Sequence, residues 1–182
     1  MRYRVIFHGP FRVGTGRPDR GLDTTVDQQD PLPASSLKGL MRNTASQLLG
    51  PDHPLVGDVF GRPGNGSPWS WASAVFDEAP APGVRARIAI GDDGVVEDEA
   101  LLRAEHLWAS EAIFTVDLLM SPPTRQADHE LLLNASAAAV KSLGGDRNRG
   151  FGWVTVAPND GLTAGEDLAE GILRIRAQVV LT

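Results

Sequence analysis

The stretch from Ala127 to Val156 contains the elements that decide how this chain is expected to fold. Ala127 to Leu143 carries apolar residues at helical spacing and predicts a helix. Trp153 to Val156 predicts a strand. Between them lies a segment that we call the glycine loop, residues 144–152, with the sequence Gly144-Gly145-Asp146-Arg147-Asn148-Arg149-Gly150-Phe151-Gly152.

The rest of the chain adds one further helix and several strands. This helix is predicted to begin at Ser35 or Ser36, either of which could cap it with its hydroxyl, and to end at Gly50-Pro51. Strands are predicted at Arg2–His8, Trp69–Phe76, Val84–Ile90, Glu111–Met120 and Ile172–Leu181, and loops at Gly9–Pro33 and Leu55–Gly66. The order predicts an α+β fold, ferredoxin-like or RNA-recognition-motif-like, with an antiparallel sheet, two main helices and loop insertions. We expect residues 1–182 to form a single domain.

Composition and charge limit the classes of function. The net charge is −6, from 23 acidic and 17 basic side chains. A free nucleic-acid-binding domain is usually basic, so this chain is expected to bind nucleic acid only alongside partners that share the electrostatic attraction. The absence of cysteine excludes disulfides and thiolate metal sites and suits a reducing cytoplasm. No segment approaches the ~20 apolar residues of a membrane span and residues 1–8 do not predict a signal peptide, so we expect a cytoplasmic protein without membrane contact.

The glycine loop has the composition of an anion-binding site. Its Gly, Asp and Asn residues tolerate left-handed backbone, and consecutive exposed amides form a concavity that suits phosphate. Arg147 and Arg149 add guanidinium groups, whose geometry matches phosphate oxygens. The same residues would equally suit a helix cap followed by a turn, and local spacing does not choose between these interpretations.

The helix that begins near Ser35 offers a second phosphate site. Free amides and the hydroxyls of Ser35 and Ser36 lie at its start. Lys38 and Arg42 are four residues apart and share one side of the helix. The alternative is an ordinary amphipathic helix with solvated charges.

Acidic residues are frequent in the long early loop, and histidines are scattered over the whole chain. Four carboxylates, those of Asp19, Asp23, Asp27 and Asp30, could hold a divalent cation through hard oxygen ligands, although calcium-loop spacing is absent and solvated carboxylates are the alternative. The histidines match no zinc spacing and are expected to be structural or surface residues: His8, His53, His106 and His129.

Several motifs, taken in order, resemble a known family. Gly14-Thr15-Gly16 is followed by the aspartate-bearing loop, then by Pro31-Leu32-Pro33-Ala34-Ser35-Ser36-Leu37-Lys38-Gly39-Leu40-Met41-Arg42, and finally by Leu143 and the glycine loop. Together they resemble the RAMP superfamily (repeat-associated mysterious proteins), which supplies RNA-binding subunits of CRISPR effector complexes. The segments Arg85–Ile90 and Leu101–Glu105 also resemble the middle of type III members. The likeness covers roughly residues 1–157 and is greatest to the type III backbone subunit.

The resemblance implies a specific set of partners and site residues. It implies a subunit that polymerises with copies of itself and with other RAMP subunits along CRISPR guide RNA, and that cleaves complementary target RNA. The family's catalytic aspartate stands in an Asp-x-x-Val setting, matched by Asp23-Thr24-Thr25-Val26, so Asp23 is the expected catalytic and metal-binding residue, with a divalent ion such as Mg²⁺. Asp27, Asp19 and Asp30 are substitutes. The expected RNA-binding residues are Ser35, Ser36, Lys38, Arg42, Gly144, Gly145, Arg147, Arg149 and Gly150.

The resemblance leaves two points open, which are the position of the thumb and whether this subunit cuts RNA. A β-hairpin thumb flips out target nucleotides in the family, and here it is expected at Ala79–Gly83 or within Gly91–His106. Relatives without nuclease activity share the glycine loop and the Ser-Leu-Lys helix, so a structural or capping subunit is the second interpretation. The third is a stand-alone endonuclease that processes precursor RNA with His8 or His53 as base, against which the acidic charge argues.

Overall fold

A computed structural model describes residues 1–18, 21–87, 101–119, 124–159 and 165–179. Its strands are β1 (Arg2–Phe7), β2 (Trp69–Trp71), β3 (Ala81–Arg87), β4 (Leu102–Trp108), β5 (Glu111–Leu118) and β6 (Val154–Pro158). Its helices are α1 (Ala34–Leu49), α2 (Pro54–Phe60), α3 (Gln126–Ala139) and α4 (Gly165–Val179), with a 3₁₀ turn at Arg147–Arg149.

The main sheet has the strand order β2-β5-β1-β6, and all three pairings are antiparallel. Helix α1 lies between β1 and β2 along the chain, and α3 lies between β5 and β6. Two strand–helix–strand units interleaved in one antiparallel sheet are the split βαβ arrangement. The predicted α+β, ferredoxin-like fold class is therefore confirmed.

Alternation along β1 places the core on one side of this sheet. Tyr3, Val5 and Phe7 are buried, whereas the residues between them are exposed. The buried side chains meet the apolar stripes of the helices: α1 contacts α3, and α3 contacts both α4 and β6. At the centre, Tyr3 stacks on Phe114 of β5 with ring centroids 5.1 Å apart. The tyrosine hydroxyl donates to Asn134 Oδ1 of α3 at 2.9 Å, which satisfies its polar atom in the core.

A second sheet, which we call the ribbon, consists of β3 and β4 paired from Ala81↔Trp108 to Arg87↔Leu102. Its free edge is covered by the early loop. Phe11 exchanges backbone hydrogen bonds with Leu107 at 2.9 Å each, and the Glu105 amide donates to the Thr24 carbonyl oxygen at 2.9 Å. The irregular backbone of residues 9–33 is thus partly satisfied by strand-like pairing with β4.

Two predicted elements are wrong. Leu55–Gly66 was expected to be a loop, but Pro54–Phe60 is helix α2, which starts at a proline and has the His53 ring as its cap: Nδ1 accepts from the Leu55 amide at 3.2 Å. Ile172–Leu181 was expected to be a strand, but its described part lies in helix α4. The sequence alternates there, yet Leu168, Ile172 and Ile175 are the buried residues and have helical spacing.

Other predicted boundaries shift. The Ser35 and Ser36 hydroxyls do not cap α1; Pro33 is its N-cap, and the Ala34 amide donates to Ser73 Oγ at 3.1 Å instead. Helix α3 ends at Ala139, four residues before the expected Leu143, because Val140 is extended. Strand β2 stops at Trp71, β3 starts at Ala81 within the expected break, β4 was not predicted as a strand, and β6 extends past Val156 to Pro158.

Parts of several predicted elements lie outside the described residues. These are positions 88–90 of the predicted strand Val84–Ile90, Met120 of Glu111–Met120, positions 180–181 of Ile172–Leu181, and positions 91–100 of the possible thumb segment Gly91–His106. Among the helices in the described residues, none is long and apolar enough to cross a membrane.

Candidate nucleic-acid interface

The glycine loop is fixed by two glycines that allow close backbone approach. Gly144 (φ 75°) and Gly152 (φ 71°) have left-handed backbone, and a Cβ on either would overlap a carbonyl oxygen, that of Arg12 or of Leu143 respectively. The amides of Gly145 and Gly152 donate to the carbonyl oxygens of Arg12 at 2.8 Å and Pro10 at 2.7 Å. The loop is therefore bonded along residues 10–12, and it is more than a cap for α3.

An ion pair also joins the glycine loop to residues 10–12. Arg12 Nη2 lies 2.8 Å from Asp146 Oδ2, and both side chains are largely buried, at 12% and 18% exposed. Asp146 itself has left-handed backbone (φ 54°), which begins the 3₁₀ turn and directs Arg147 and Arg149 outward. Both of these residues are exposed.

Between α1 and the glycine loop lies a cavity of about 370 Å³, the helix cavity. Ser36 and Asn43 of α1 supply polar groups on one wall, and Gly144 and Arg147 form the opposite wall. Arg147 Nε donates to the Gly144 carbonyl oxygen at 2.9 Å, which orients its guanidinium. The tertiary fold thus brings together residues from the two predicted phosphate sites, which lie about a hundred positions apart in the sequence.

On the other side of the glycine loop lies the ribbon cavity, of about 410 Å³, between the loop and the ribbon. Its lining residues are Arg12, Arg85, Ala104, Glu105, His106, Asp146, Arg149 and Phe151. Arg85 places its guanidinium carbon 5.3 Å from the centroid of the Phe151 ring, and His106 meets the same ring edge-on at 5.3 Å. Two arginines separated by one residue, Arg147 and Arg149, therefore face different cavities.

A family model for the RAMP superfamily matches residues 4–155, which include most of the main sheet, the ribbon, the residues that line both cavities and the whole glycine loop. The chain belongs to the RAMP superfamily. No curated protein matches it in a sequence comparison.

Solved structures share the fold of this RAMP chain. One is a chain in a cryo-EM structure of the type III-B Cmr-beta complex bound to cognate target RNA, with a TM-score of 0.67 at 12% identity, covering 86% of this chain and 95% of that chain. A chain of the same complex in its apo state has a TM-score of 0.66 at 12% identity, covering 85% and 95%. At this identity the likeness is one of fold.

Other predicted contact residues of the RAMP chain lie away from the helix cavity. Lys38 is half-buried and Arg42 is exposed, and neither is among the described residues that line it. At about 100° per residue they lie roughly 200° and 240° around α1 from Ser36, so both point away from the cavity. Ser35 is exposed in the first turn of α1, and Gly150 is exposed with left-handed backbone. Ser36 and Asn43 therefore face the glycine loop across this cavity, and Lys38 and Arg42 do not line it.

Asp23 is exposed and docked on the ribbon. Its amide donates to the Arg103 carbonyl oxygen at 2.8 Å, and its Oδ2 accepts from the Arg103 amide at 2.7 Å. Thr24 forms a parallel β-bridge with Ala104, and Ala104 lines the ribbon cavity. The Asp23 segment thus lies at the ribbon, and its carboxylate has one oxygen engaged by backbone.

The other candidate carboxylates have local roles. Asp27 Oδ1 accepts from the amides of Gln29 at 2.9 Å and Asp30 at 3.2 Å, and Asp30 Oδ2 accepts from Ser73 Oγ at 3.1 Å. Asp19 lies outside the described residues. Within the described ranges, no three or more His, Asp or Glu side chains gather where they could hold a metal ion. A magnesium ion at Asp23 would have one protein carboxylate and would need RNA phosphate and water oxygens to complete its shell.

The histidines divide into core and surface residues. His53 and His129 are buried, and burial lowers the pKa of each below its usual value, so both are neutral at pH 7. His8 is exposed and shares a 2.8 Å hydrogen bond with Thr155 Oγ1. Burial removes His53 as a surface base, which leaves His8 for the stand-alone nuclease interpretation.

Sequence reasoning did not find Arg12, Arg85, His106 or Phe151 as site residues. They come from the early loop, the two ribbon strands and the end of the glycine loop, and no local pattern marked them as sharing one cavity. Phe151 lies within the glycine loop, Arg12 lies two residues before Gly14, and Arg85 begins a segment that resembles the family. The spacing of these motifs did not show that the residues meet.

Proposed function

We propose that this RAMP chain is a guide-RNA-binding backbone subunit of a type III CRISPR effector complex, and that in the assembled complex it cleaves complementary target RNA at Asp23. The observation that carries the RNA-binding part is the helix cavity, where the Ser36 hydroxyl, the glycine loop and the Arg147 guanidinium converge. Hydroxyl, amide and guanidinium donors in one concavity suit the phosphate backbone of RNA and carry no base code.

The acidic net charge of −6 agrees with a subunit that acts in an assembly. Neighbouring copies of this chain and other RAMP subunits would supply the remaining positive charge along the guide, as expected for a filament. The type III-B Cmr-beta structures that share the fold support this class of complex.

The position of the ribbon supports the proposed cleavage of target RNA at Asp23. Its strands coincide with the ends of both segments in which the family's thumb was expected, and Asp23 is bonded directly to β4. A thumb that distorts the target strand beside Asp23 would bring a 2′-hydroxyl in line with the adjacent phosphate.

In this reaction Asp23 would only have to accept one proton and help to hold a divalent ion. The 2′-oxygen attacks phosphorus, the bond to the 5′-oxygen breaks, and that oxygen takes a proton from water, which gives a 2′,3′-cyclic phosphate and a 5′-hydroxyl. Asp23 Oδ2 is held by the Arg103 amide at 2.7 Å, so the other oxygen is positioned to accept the 2′-hydroxyl proton. A divalent ion held between Asp23 and the RNA would stabilise the charge that develops on the phosphate.

The test uses the complex reconstituted with its own guide and target. Asp23→Asn keeps an acceptor for the Arg103 amide but removes the charge and the basic oxygen, so cleavage is expected to fall at least 100-fold while assembly and guide length stay unchanged. Asp27→Asn is the matched control, because that carboxylate accepts only local amides, and it should cleave normally.

RNA binding is tested separately. Ser36→Ala combined with Arg147→Gln should reduce co-purified guide RNA, whereas Lys38→Gln with Arg42→Gln should reduce it less, since those two lie away from the helix cavity. Full guide retention by the Ser36 and Arg147 double variant would refute the assignment of the interface.

A structural subunit that binds guide RNA without cutting is the second candidate. It is favoured by the single carboxylate at Asp23 and by the lack of an acidic cluster in the part of the chain that the structure describes. Absence of cleavage by the unaltered complex would decide for it, whereas normal cleavage by the Asp23→Asn complex would remove Asp23 as the catalytic residue.

A further inference from the structure

The turn that connects α2 to β2 contains the dipeptide Asn65-Gly66. Of the five asparagines in the chain, Asn65 is the only one that is followed by glycine. The side-chain amide of an asparagine can be attacked by the main-chain nitrogen of the next residue. The five-membered ring that results forms most readily when that next residue has no Cβ to crowd the nitrogen. The dipeptide therefore has the composition of a site at which the chain can modify itself.

The turn holds Asn65 by its backbone and leaves its side chain unbound. The Asn65 amide donates to the Arg62 carbonyl oxygen at 2.9 Å, and the Arg62 amide donates to the Asn65 carbonyl oxygen at 2.8 Å. Pro63 and Gly64 (φ 79°) lie between them at the tip of the turn. The Asn65 side chain is exposed, and its amide group has no hydrogen-bond partner among the described residues. The carbon that would be attacked, Cγ of Asn65, is therefore accessible.

The nitrogen of Gly66 is accessible as well. Gly66 is exposed, and its amide donates no hydrogen bond to any group in the part of the chain that the structure describes. A Cβ built on Gly66 would meet no atom within 4 Å, so no neighbouring group crowds this peptide unit. The first firmly held residue after it is Ser67, whose Oγ donates to the Val59 carbonyl oxygen at 2.7 Å. The rotation that brings the Gly66 nitrogen onto Cγ of Asn65 thus requires only a local opening of the turn.

Asn148 provides a comparison within the same chain. It is also exposed, in the glycine loop, but the next residue is Arg149, whose amide donates to the Asp146 carbonyl oxygen at 2.8 Å. The nitrogen that would have to attack the Asn148 side chain is therefore bound, and its residue has a Cβ. Exposure is common to both asparagines, so the difference between them lies in the nitrogen that follows.

We propose that Asn65 is a site of spontaneous deamidation through a cyclic imide. The Gly66 nitrogen loses its proton to hydroxide and forms a bond to Cγ of Asn65. The bond from Cγ to the side-chain nitrogen then breaks, and that nitrogen takes a proton from water and leaves as ammonia. Water opens the ring at either of its two carbonyl groups, which gives aspartate or isoaspartate at this position. Either product adds one negative charge to the net charge of −6.

The experiment is incubation of the purified full-length chain at 37 °C, at pH 6 and pH 8, followed by peptide mass spectrometry. The peptide that contains Asn65 is expected to gain one mass unit, and the peptide that contains Asn148 is not. The gain should be faster at pH 8, because the attacking nitrogen must lose its proton. Isoaspartate and aspartate should both be found, whereas direct hydrolysis of the side-chain amide would give aspartate alone. Labelling by an isoaspartyl methyltransferase identifies the isoaspartate.

Gly66→Ala is the matched variant. The added methyl group has open space around it and the Gly66 backbone is not left-handed, so the variant should fold normally, which thermal unfolding checks. Deamidation at Asn65 is expected to be about tenfold slower or more, because a Cβ crowds the attacking nitrogen and restricts its rotation. Asn65→Gln should show no mass gain in this peptide, because its longer side chain would have to close a larger ring.

Three results would overturn the proposal. The first is an unchanged mass at Asn65 in the folded chain at pH 8, over a period in which the chain unfolded in urea deamidates there. The second is aspartate without isoaspartate, and the third is an equal rate in the Gly66→Ala variant. None of these measurements involves RNA, so their outcome leaves the proposed function unaffected.

Discussion

The main sheet with its helices and the ribbon are stabilised differently. In β1, every second side chain is almost completely buried against the helices. In the ribbon, Leu107 is completely buried, while Val84 and Leu102 are 58% and 40% exposed. The main sheet is therefore held by apolar burial, and the ribbon mainly by backbone hydrogen bonds.

This difference separates the two proposed activities. The glycine loop is anchored to residues 10–12 and to Leu143 at the edge of the core, so its groups are presented by a rigid support. Asp23 is anchored to β4 of the ribbon, which is less buried. The rigid support of the glycine loop suits continuous binding of a guide RNA. The less buried ribbon suits a segment, such as that around Asp23, that adjusts its conformation to a target RNA.

The largest expected effect comes from breaking the anchor of the glycine loop. Gly144→Ala would place a methyl group on the Arg12 carbonyl oxygen at a residue that already has left-handed backbone, and it should lower the free energy of unfolding by about 3 kcal/mol or more. Gly150→Ala has the same backbone conformation but no atom within 4 Å, so it should cost about 1 kcal/mol. Urea unfolding of both variants tests this, and similar costs would show that the loop is not tightly anchored.

An intermediate effect on stability is expected when the pH is lowered, through two histidines buried in the core. His53 and His129 accept hydrogen bonds at Nδ1 from the Leu55 amide and the Trp69 indole, each at 3.2 Å, and burial lowers the pKa of both. Their unfolded pKa is near the ordinary 6.5, so the unfolded chain takes up protons first as pH falls. Stability should be fully present above about pH 6.5 and should decline toward pH 5.

Thermal midpoints at pH 7.5, 6 and 5 measure this decline. His129→Gln should flatten the profile, whereas His8→Gln, at an exposed position, should not change it. A decline that persists unchanged in His53→Gln and His129→Gln would show that these histidines do not cause it.

The smallest effect is expected at the ribbon. Asp23→Ala removes one exposed side-chain hydrogen bond and should cost about 1 kcal/mol or less, with faster hydrogen exchange at the Arg103 amide. Asp27→Ala gives a comparison at another exposed carboxylate. If Asp23→Ala destabilises the chain as much as Gly144→Ala, the ribbon is as strongly held as the core and the contrast between them fails.

Elements with a clear local period could be predicted from the sequence. β1, α1 and most of α3 were found because their buried residues alternate or recur at helical spacing. α2 and α4 were missed for different reasons. The first has seven residues, and the second contains Leu173-Arg174-Ile175-Arg176, which alternates like a strand although Leu173 is 63% exposed on the helix surface.

The sequence by itself determined the fold class and the family, because the period within each element and the order of the motifs along the chain can be read without knowing which distant residues meet. The tertiary structure decided which residues share a cavity. It placed Ser36 and Asn43, and not Lys38 and Arg42, opposite the loop, and it assembled Arg12, Arg85 and His106 on the loop's other side. These pairings depend on the rotation of α1 about its axis and on the docking of the early loop onto β4, and both are set by burial of distant side chains.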